Sequence, residues 1–253
     1  MANLFENLPR DLAEKLQHQH DMAARFAAQQ ACRACPRYSG GCVPANSAGP
    51  RPYLAIVLPS PTAWEKASNT PMVGSSADDL FILLEQHAGL QRSAVYICYA
   101  ASCYSPADPT KEEIATCQQH HRAMHYSGAL VIWHFGPVAA QASTSSRWED
   151  ICGKAVRRGL QFDVFTEDAR KEWNSPASRP RIIEDLQFIG DLARFPFMLD
   201  AWRVFKSGSS YDTSDLAELM GELDKITQEK HKARFLNKVA QALAMGPTQG
   251  GLF

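Results

Sequence analysis

The sequence lacks any run of eighteen apolar residues, so nothing in it reads as a helix that crosses a membrane. It also lacks an excess of charge of either sign. The 26 basic and 27 acidic residues leave a formal net charge of -1, which excludes a globally basic nucleic-acid binder and leaves a local basic groove open. The first residues, MANLFENLPRDL, hold no basic patch followed by an apolar run, so no secretory signal is expected. No internal repeat and no low-complexity tract occurs. The seven cysteines are an odd number, and with no export signal they do not read as a disulfide framework. A cytoplasmic protein, bacterial or phage-like, with no membrane partner is the expectation. The 253 residues are 45% apolar, enough core for one large α/β domain or two small ones, and too much for a disordered chain.

Periodicity lays out the elements. Residues 10–30 read as a helix, preceded by Pro9 and with Leu12, Leu16, Ala23 and Phe26 at helical spacing. Residues 31–52 carry Cys, Pro, Gly and Ser and read as loop. The apolar runs 53–58, 93–99 and 129–133 read as strands, the first stopped by Pro59-Ser60-Pro61 and the third by Gly136-Pro137. Helices are expected at 76–88 and 110–125, the second opened by a capping box of Thr110 and Glu113. Alternation of strand and helix predicts an α/β fold, three-layer α/β/α, with a central mostly parallel four-stranded sheet whose fourth strand closes at Val164-Phe165. Short helices at 181–194 and 196–205, a linker at 206–210 and a long helix over about 213–244 follow. The expected domains are therefore 1–205 for the α/β unit, 206–245 for a C-terminal helical extension and 246–253 for a tail.

The cysteines are the strongest chemical signal. Cys32-Arg33-Ala34-Cys35 is a C-x-x-C in a loop after a helix, a spacing that lets two thiolates reach one metal or cluster. Cys103 follows the second strand, and Cys117 lies in the next helix. Three readings stay open. Cys32, Cys35, Cys103 and Cys117 would hold an iron–sulfur cluster, with Cys103 and Cys117 otherwise plain packing residues. Zinc would use Cys32, Cys35 and Cys117 with His120 or His121. A redox C-x-x-C normally follows a strand and opens a helix, which this one does not.

The stretch from about Cys32 to Ala140 resembles the iron–sulfur members of the uracil-DNA glycosylase superfamily. The ordered motifs are Ala31-Cys32-Arg33-Ala34-Cys35-Pro36; Ile56-Val57 leading into Pro59-Ser60-Pro61; Pro71-Met72-Val73-Gly74 ten residues on; Gly89-Leu90-Gln91-Arg92 before Val95-Tyr96-Ile97 and Cys103; the helix Pro109 to Cys117; and Val131-Ile132-Trp133-His134-Phe135-Gly136-Pro137-Val138-Ala139-Ala140. The resemblance implies a [4Fe–4S] cluster on Cys32, Cys35, Cys103 and Cys117, and an α/β sandwich that binds DNA. Cys42, Cys98 and Cys152 have no counterpart in it and are expected to be structural.

At the catalytic positions the chain departs from that pattern. Hydrolytic removal of a base needs a pocket for the flipped base, a polar group to position water, and donors for the charge on the leaving base. Where the family carries its loop carboxylate, this chain has Pro59, with Ser60 beside it and no acid before Glu65. Met72 stands where an aromatic stacks on the base, and Tyr99 where an asparagine reads its edge. The family's late histidine motif has no match, because no histidine lies between His134 and His231. His134, at a strand end, is the candidate replacement. Uracil excision is therefore not the expected activity.

The expectation is a DNA-binding iron–sulfur protein of replication or repair, taking single-stranded or damaged DNA. The alternatives are a glycosylase with altered base preference and a non-catalytic module that docks a replication protein. Lys154, Arg157 and Arg158 form a candidate phosphate-binding cluster. The tail ends in Gln249-Gly250-Gly251-Leu252-Phe253, which resembles the peptide by which bacterial replication and repair proteins bind the sliding clamp. There Leu252 and Phe253 would fill an apolar pocket, and Gln249 would supply hydrogen bonds.

Overall fold

The computed structural model describes residues 10–46, 52–125, 129–158, 161–193, 221 and 224–230. The chain divides into two units, residues 1–209 and 210–253. In the first unit, helix α1 (Arg10–Ala31) leads into a 3-10 turn at Pro36–Gly40. Then come β1 (Leu54–Leu58), α2 (Ala63–Ser68), α3 (Ser75–Ala88), β2 (Val95–Tyr99), α4 (Lys111–His125) and β3 (Val131–Phe135). The short helices α5 (Gly136–Ala140) and α6 (Trp148–Ile151) precede β4 (Ala155–Arg158) and β5 (Gln161–Thr166), and α7 (Ala169–Glu172) and α8 (Arg179–Ala193) complete the unit. In the second unit, residues 221 and 224–230 are helical. The expected segments 196–205 and 206–210, most of 213–244 and the whole tail with Gln249, Leu252 and Phe253 lie outside the described residues. Among the described residues no helix is long and apolar enough to cross a membrane.

The α/β architecture stands, with one correction: the sheet has five strands, in the order β2-β1-β3-β5-β4. The first four are parallel, and β4 pairs antiparallel with β5. The added strand is a short edge strand of sequence Ala-Val-Arg-Arg. Its polar residues hide it from a search for apolar runs, whereas β1, β2 and β3 are buried along their full length, as strands covered on both faces are. One sheet face carries Ala55, Val57, Tyr96, Cys98 and Ile132 and packs against Met22 of α1, Ile114 of α4 and Ala139 of α5. On the other face, Phe162 of β5 meets Phe188 of α8 edge to face at 5.8 Å. α8 packs closely on α3, and a Cβ on Gly190 would fall 2.7 Å from the His87 carbonyl oxygen.

The strand order reverses at β1, which has β2 on one side and β3 on the other. In open parallel sheets, ligands bind outside the carboxyl ends of the strands at such a switch point. The segments after β1 and β2 stay paired there, with Ala100 donating to the Leu58 carbonyl at 2.7 Å and Ala101 to that of Pro59 at 3.1 Å. Both sites described next hang from these ends.

Candidate functional site

The four predicted cysteines come together. Cys32 follows the last residue of α1, and Cys35 is the N-cap of the 3-10 turn. Cys103 lies just past β2, and Cys117 sits in the second turn of α4, whose start is held by the reciprocal Thr110–Glu113 capping bonds. All four line one cavity, and Cys42 lines it with them. Cys42 is the residue that the sequence reading set aside as structural. No local signal would have found it, because it reaches the site by pairing across to Cys103 as an isolated antiparallel bridge. Cys98 is buried within β2, and Cys152 lies 3.5 Å from a Glu167 carboxylate oxygen, so neither belongs to the cluster.

Arg37 also lines this cavity and is 5% exposed. Its Nε donates to the Cys103 carbonyl at 3.2 Å, and its Nη1 to the Ala107 carbonyl at 3.0 Å and to Glu113 Oε2 at 3.4 Å. The side chain straps the cysteine loop to the start of α4. Its Nη2 is buried without a hydrogen-bond partner. A guanidinium nitrogen stranded beside thiols is a donor waiting for negative charge.

Burial pushes the Cys117 thiol up to about 11 and raises Cys35 as well. Cys42 is raised first by a hydrogen bond to the Cys103 sulfur and then by burial. Cys103 is lowered, chiefly because it receives that bond, with Arg37 and Arg33 adding to the effect. The thiols therefore differ in how readily they become thiolates, the form that binds metal.

Whether these residues fit a cluster turns on the donor set. Five thiols and a cationic side chain line one cavity, and Cys32, Cys35, Cys103 and Cys117 among them suit an anionic thiolate-ligated cluster in kind. Yet among the described residues no group of three or more His, Cys, Asp or Glu is arranged to hold a metal ion as it stands. His120 is exposed and does not line the cavity, and the side chain of His121 lies outside the described ones.

The expected pocket positions lie beyond β1 and β2. Pro59 is buried and Ser60 half-buried. Met72 and Tyr99 are buried at 1% and 0% exposure. Glu65 occupies the space between them. It forms the capping box of α2 with Thr62, its Oε2 accepting the Thr62 N–H at 2.7 Å, while its Oε1 accepts the Met72 N–H, also at 2.7 Å. Arg170 approaches Glu65 Oε2 at 3.6 Å and grips Asp168 with two bonds of 3.0 and 2.9 Å. Arg92 donates to the Pro71 and Met72 carbonyls at 3.0 and 2.8 Å. These bonds hold Met72 at a φ of 50°, a left-handed conformation that a methionine rarely adopts. Glu65 is 2% exposed, with both carboxylate oxygens engaged by the protein. It does not face a space in which it could activate water. The Tyr99 hydroxyl is buried near Glu65 without a well-formed hydrogen bond, and burial first, then the Glu65 charge, hold its pKa well above the usual value.

His134 does not line the cysteine cavity. It is fully buried in β3, stacked on Phe165 at 4.8 Å. Its Nε2 is 2.8 Å from Asp163 Oδ1 and 3.3 Å from Ser143 Oγ. A nucleophilic triad places acid and hydroxyl on opposite ring nitrogens, and here both meet the same one. The group is a buried polar tie between β3, β5 and the segment after α5. Lys154, Arg157 and Arg158 fall on or beside β4, the edge strand of the sheet at the end opposite β2. Lys154 is exposed, and the side chains of Arg157 and Arg158 lie outside the described ones.

Exposed aromatic rings that the sequence patterns did not point to lie on α2 and on the 3-10 turn. Trp64 of α2 is 80% exposed and Tyr38 46%. Arg33 sits over the Tyr38 ring and Lys66 over the Tyr104 ring, each at 5.1 Å from the ring centre. Compared with protein-family models and with curated proteins, the chain matches none.

Proposed function

We propose that this chain is a DNA-binding iron–sulfur protein on a uracil-DNA-glycosylase-like scaffold, acting in replication or repair without excising uracil. The observation that carries the reading is the convergence of Cys32, Cys35, Cys103 and Cys117 on one cavity that Arg37 also lines. A [4Fe–4S] cluster there would tie α1, the loop after β2 and α4 into one support for the surrounding surface. Exposed Tyr38 with Arg33 over its ring, and exposed Trp64 on α2, supply the kinds of stacking rings and cations by which proteins hold single-stranded DNA. The filled corner around Glu65, Met72 and Tyr99 supports binding over base hydrolysis. The tail residues Gln249, Leu252 and Phe253 would recruit a sliding clamp, a reading supported by their sequence alone.

The test is an anaerobic purification followed by iron and sulfide analysis. The expected protein is brown, with four irons and four sulfides per chain. A colourless protein with one zinc, or with no metal, overturns the cofactor. The same preparation is then offered end-labelled oligonucleotides carrying uracil and modified bases, single- and double-stranded, followed by alkali. Binding without strand cleavage is expected. Cleavage at a target base would establish the glycosylase alternative, and loss of binding together with a stable protein complex would establish the docking module.

A further inference from the structure

Cys42 and Cys103 are paired in a way that no ligand role requires. They face each other across an isolated antiparallel bridge. The flanking hydrogen bonds are Val43 N–H to the Ser102 carbonyl and Tyr104 N–H to the Gly41 carbonyl, both at 2.9 Å. Neither cysteine backbone takes part in these bonds. This is the non-hydrogen-bonded pair of an antiparallel ladder, in which Cα atoms stand about 4.5 Å apart and side chains come closest. Disulfides span Cα separations of roughly 4.4–6.8 Å, so this register brings two thiols into bonding range without moving the backbone. Both residues are partly exposed, and both are free thiols.

We infer that Cys42 and Cys103 form a disulfide when the chain meets a low-molecular-weight disulfide such as oxidised glutathione. One thiol, deprotonated, attacks a glutathione sulfur and releases a glutathione thiolate, which takes up the proton. The second cysteine, losing its own proton, attacks the resulting mixed disulfide at the protein sulfur and releases the second glutathione. Two protein thiols are oxidised and one glutathione disulfide is reduced to two thiols. The inference stands on the bridge geometry and does not rest on the proposed function. If Cys103 also ligates a cluster, disulfide and cluster exclude each other. Cys42 then becomes the residue that closes the site once the cluster is lost.

The experiment takes the full-length chain, reduced and stripped of metal with a chelator, and exposes it to oxidised glutathione. Remaining thiols are alkylated, and the protein is cut with trypsin and with chymotrypsin, which cleaves at Tyr99 and so separates Cys98 from Cys103. Mass spectrometry should find one dominant cross-link, Cys42 to Cys103, with the seven free thiols reduced to five. A Cys32→Ser/Cys35→Ser double variant should form the same link, and Cys42→Ser should lose it. A dominant Cys32–Cys35 link, scattered links, or glutathione adducts that never resolve would overturn the inference. The iron content of the unstripped protein is read separately, so failure of the cofactor and failure of the disulfide are told apart.

Discussion

Gly40 lies so close to Tyr104 that a Cβ on Gly40 would fall 1.8 Å from the Tyr104 carbonyl oxygen. The loop carrying Cys35 and Cys42 is thereby pressed onto the segment carrying Cys103. Gly40→Ala should force the two apart, costing about 1–3 kcal/mol as overpacking does. Thermal unfolding should show a lowered Tm, and, if the proposed cluster is held at this loop, metal analysis a lowered iron content. Gly221→Ala, where a Cβ meets nothing within 4 Å, should leave both unchanged. Equal behaviour of the two variants would mean that the close approach is not rigid.

Glu65→Gln tests the filled corner. The amide would place a donor against either the Thr62 or the Met72 N–H and leave Arg170 with less compensating charge. A loss of about 2–4 kcal/mol in denaturant unfolding is expected, since a buried acceptor and one partner of a buried ion pair vanish together. A stable variant with altered DNA chemistry would instead assign Glu65 a catalytic role.

Tyr99→Phe should behave in the opposite way. It removes a buried hydroxyl that makes no well-formed hydrogen bond, so stability near neutral pH should stay level or rise. It should also change the alkaline limb. The folded-state pKa of Tyr99 lies above the ordinary value of 10, so the unfolded chain gives up that proton first. Its contribution is intact below pH 10 and is lost as pH rises beyond it. Tyr53 and Tyr96, also raised by burial, act in the same direction. Urea unfolding between pH 9 and 11 should show a steeper decline for the native chain than for Tyr99→Phe; parallel curves would refute this.

Trp64→Ala should weaken single-stranded DNA binding by about 1–3 kcal/mol, the usual worth of one stacked base, and leave the salt dependence unchanged. Replacing Lys154, Arg157 and Arg158 should do the reverse if they meet phosphates, flattening the salt slope. Fluorescence anisotropy at several salt concentrations separates the two surfaces. No effect from either set would remove DNA from the reading.

Much of the fold was legible because it is locally encoded. The apolar runs of β1, β2 and β3, stopped by Pro and Gly, and the Thr110–Glu113 capping box mark their elements without reference to the rest of the chain. Helix α2 was legible too, and missed: Thr62 followed by Glu65 is a capping box, and it would have shown that the Glu65 carboxylate turns back on its own helix. Strand β4 was not legible, because a four-residue edge strand needs only one partner and little apolar surface.

The sequence by itself determined the element types, the mostly parallel sheet and the kinds of ligand available, because hydrophobic period and capping act within a few residues. Only the tertiary structure decided that Cys42 joins the other four cysteines, that Glu65 is spent on Met72, and that the segment carrying Lys154, Arg157 and Arg158 forms the edge strand opposite β2. Those outcomes depend on strand order and cross-chain register, which join residues tens of positions apart and leave no periodic mark in the sequence.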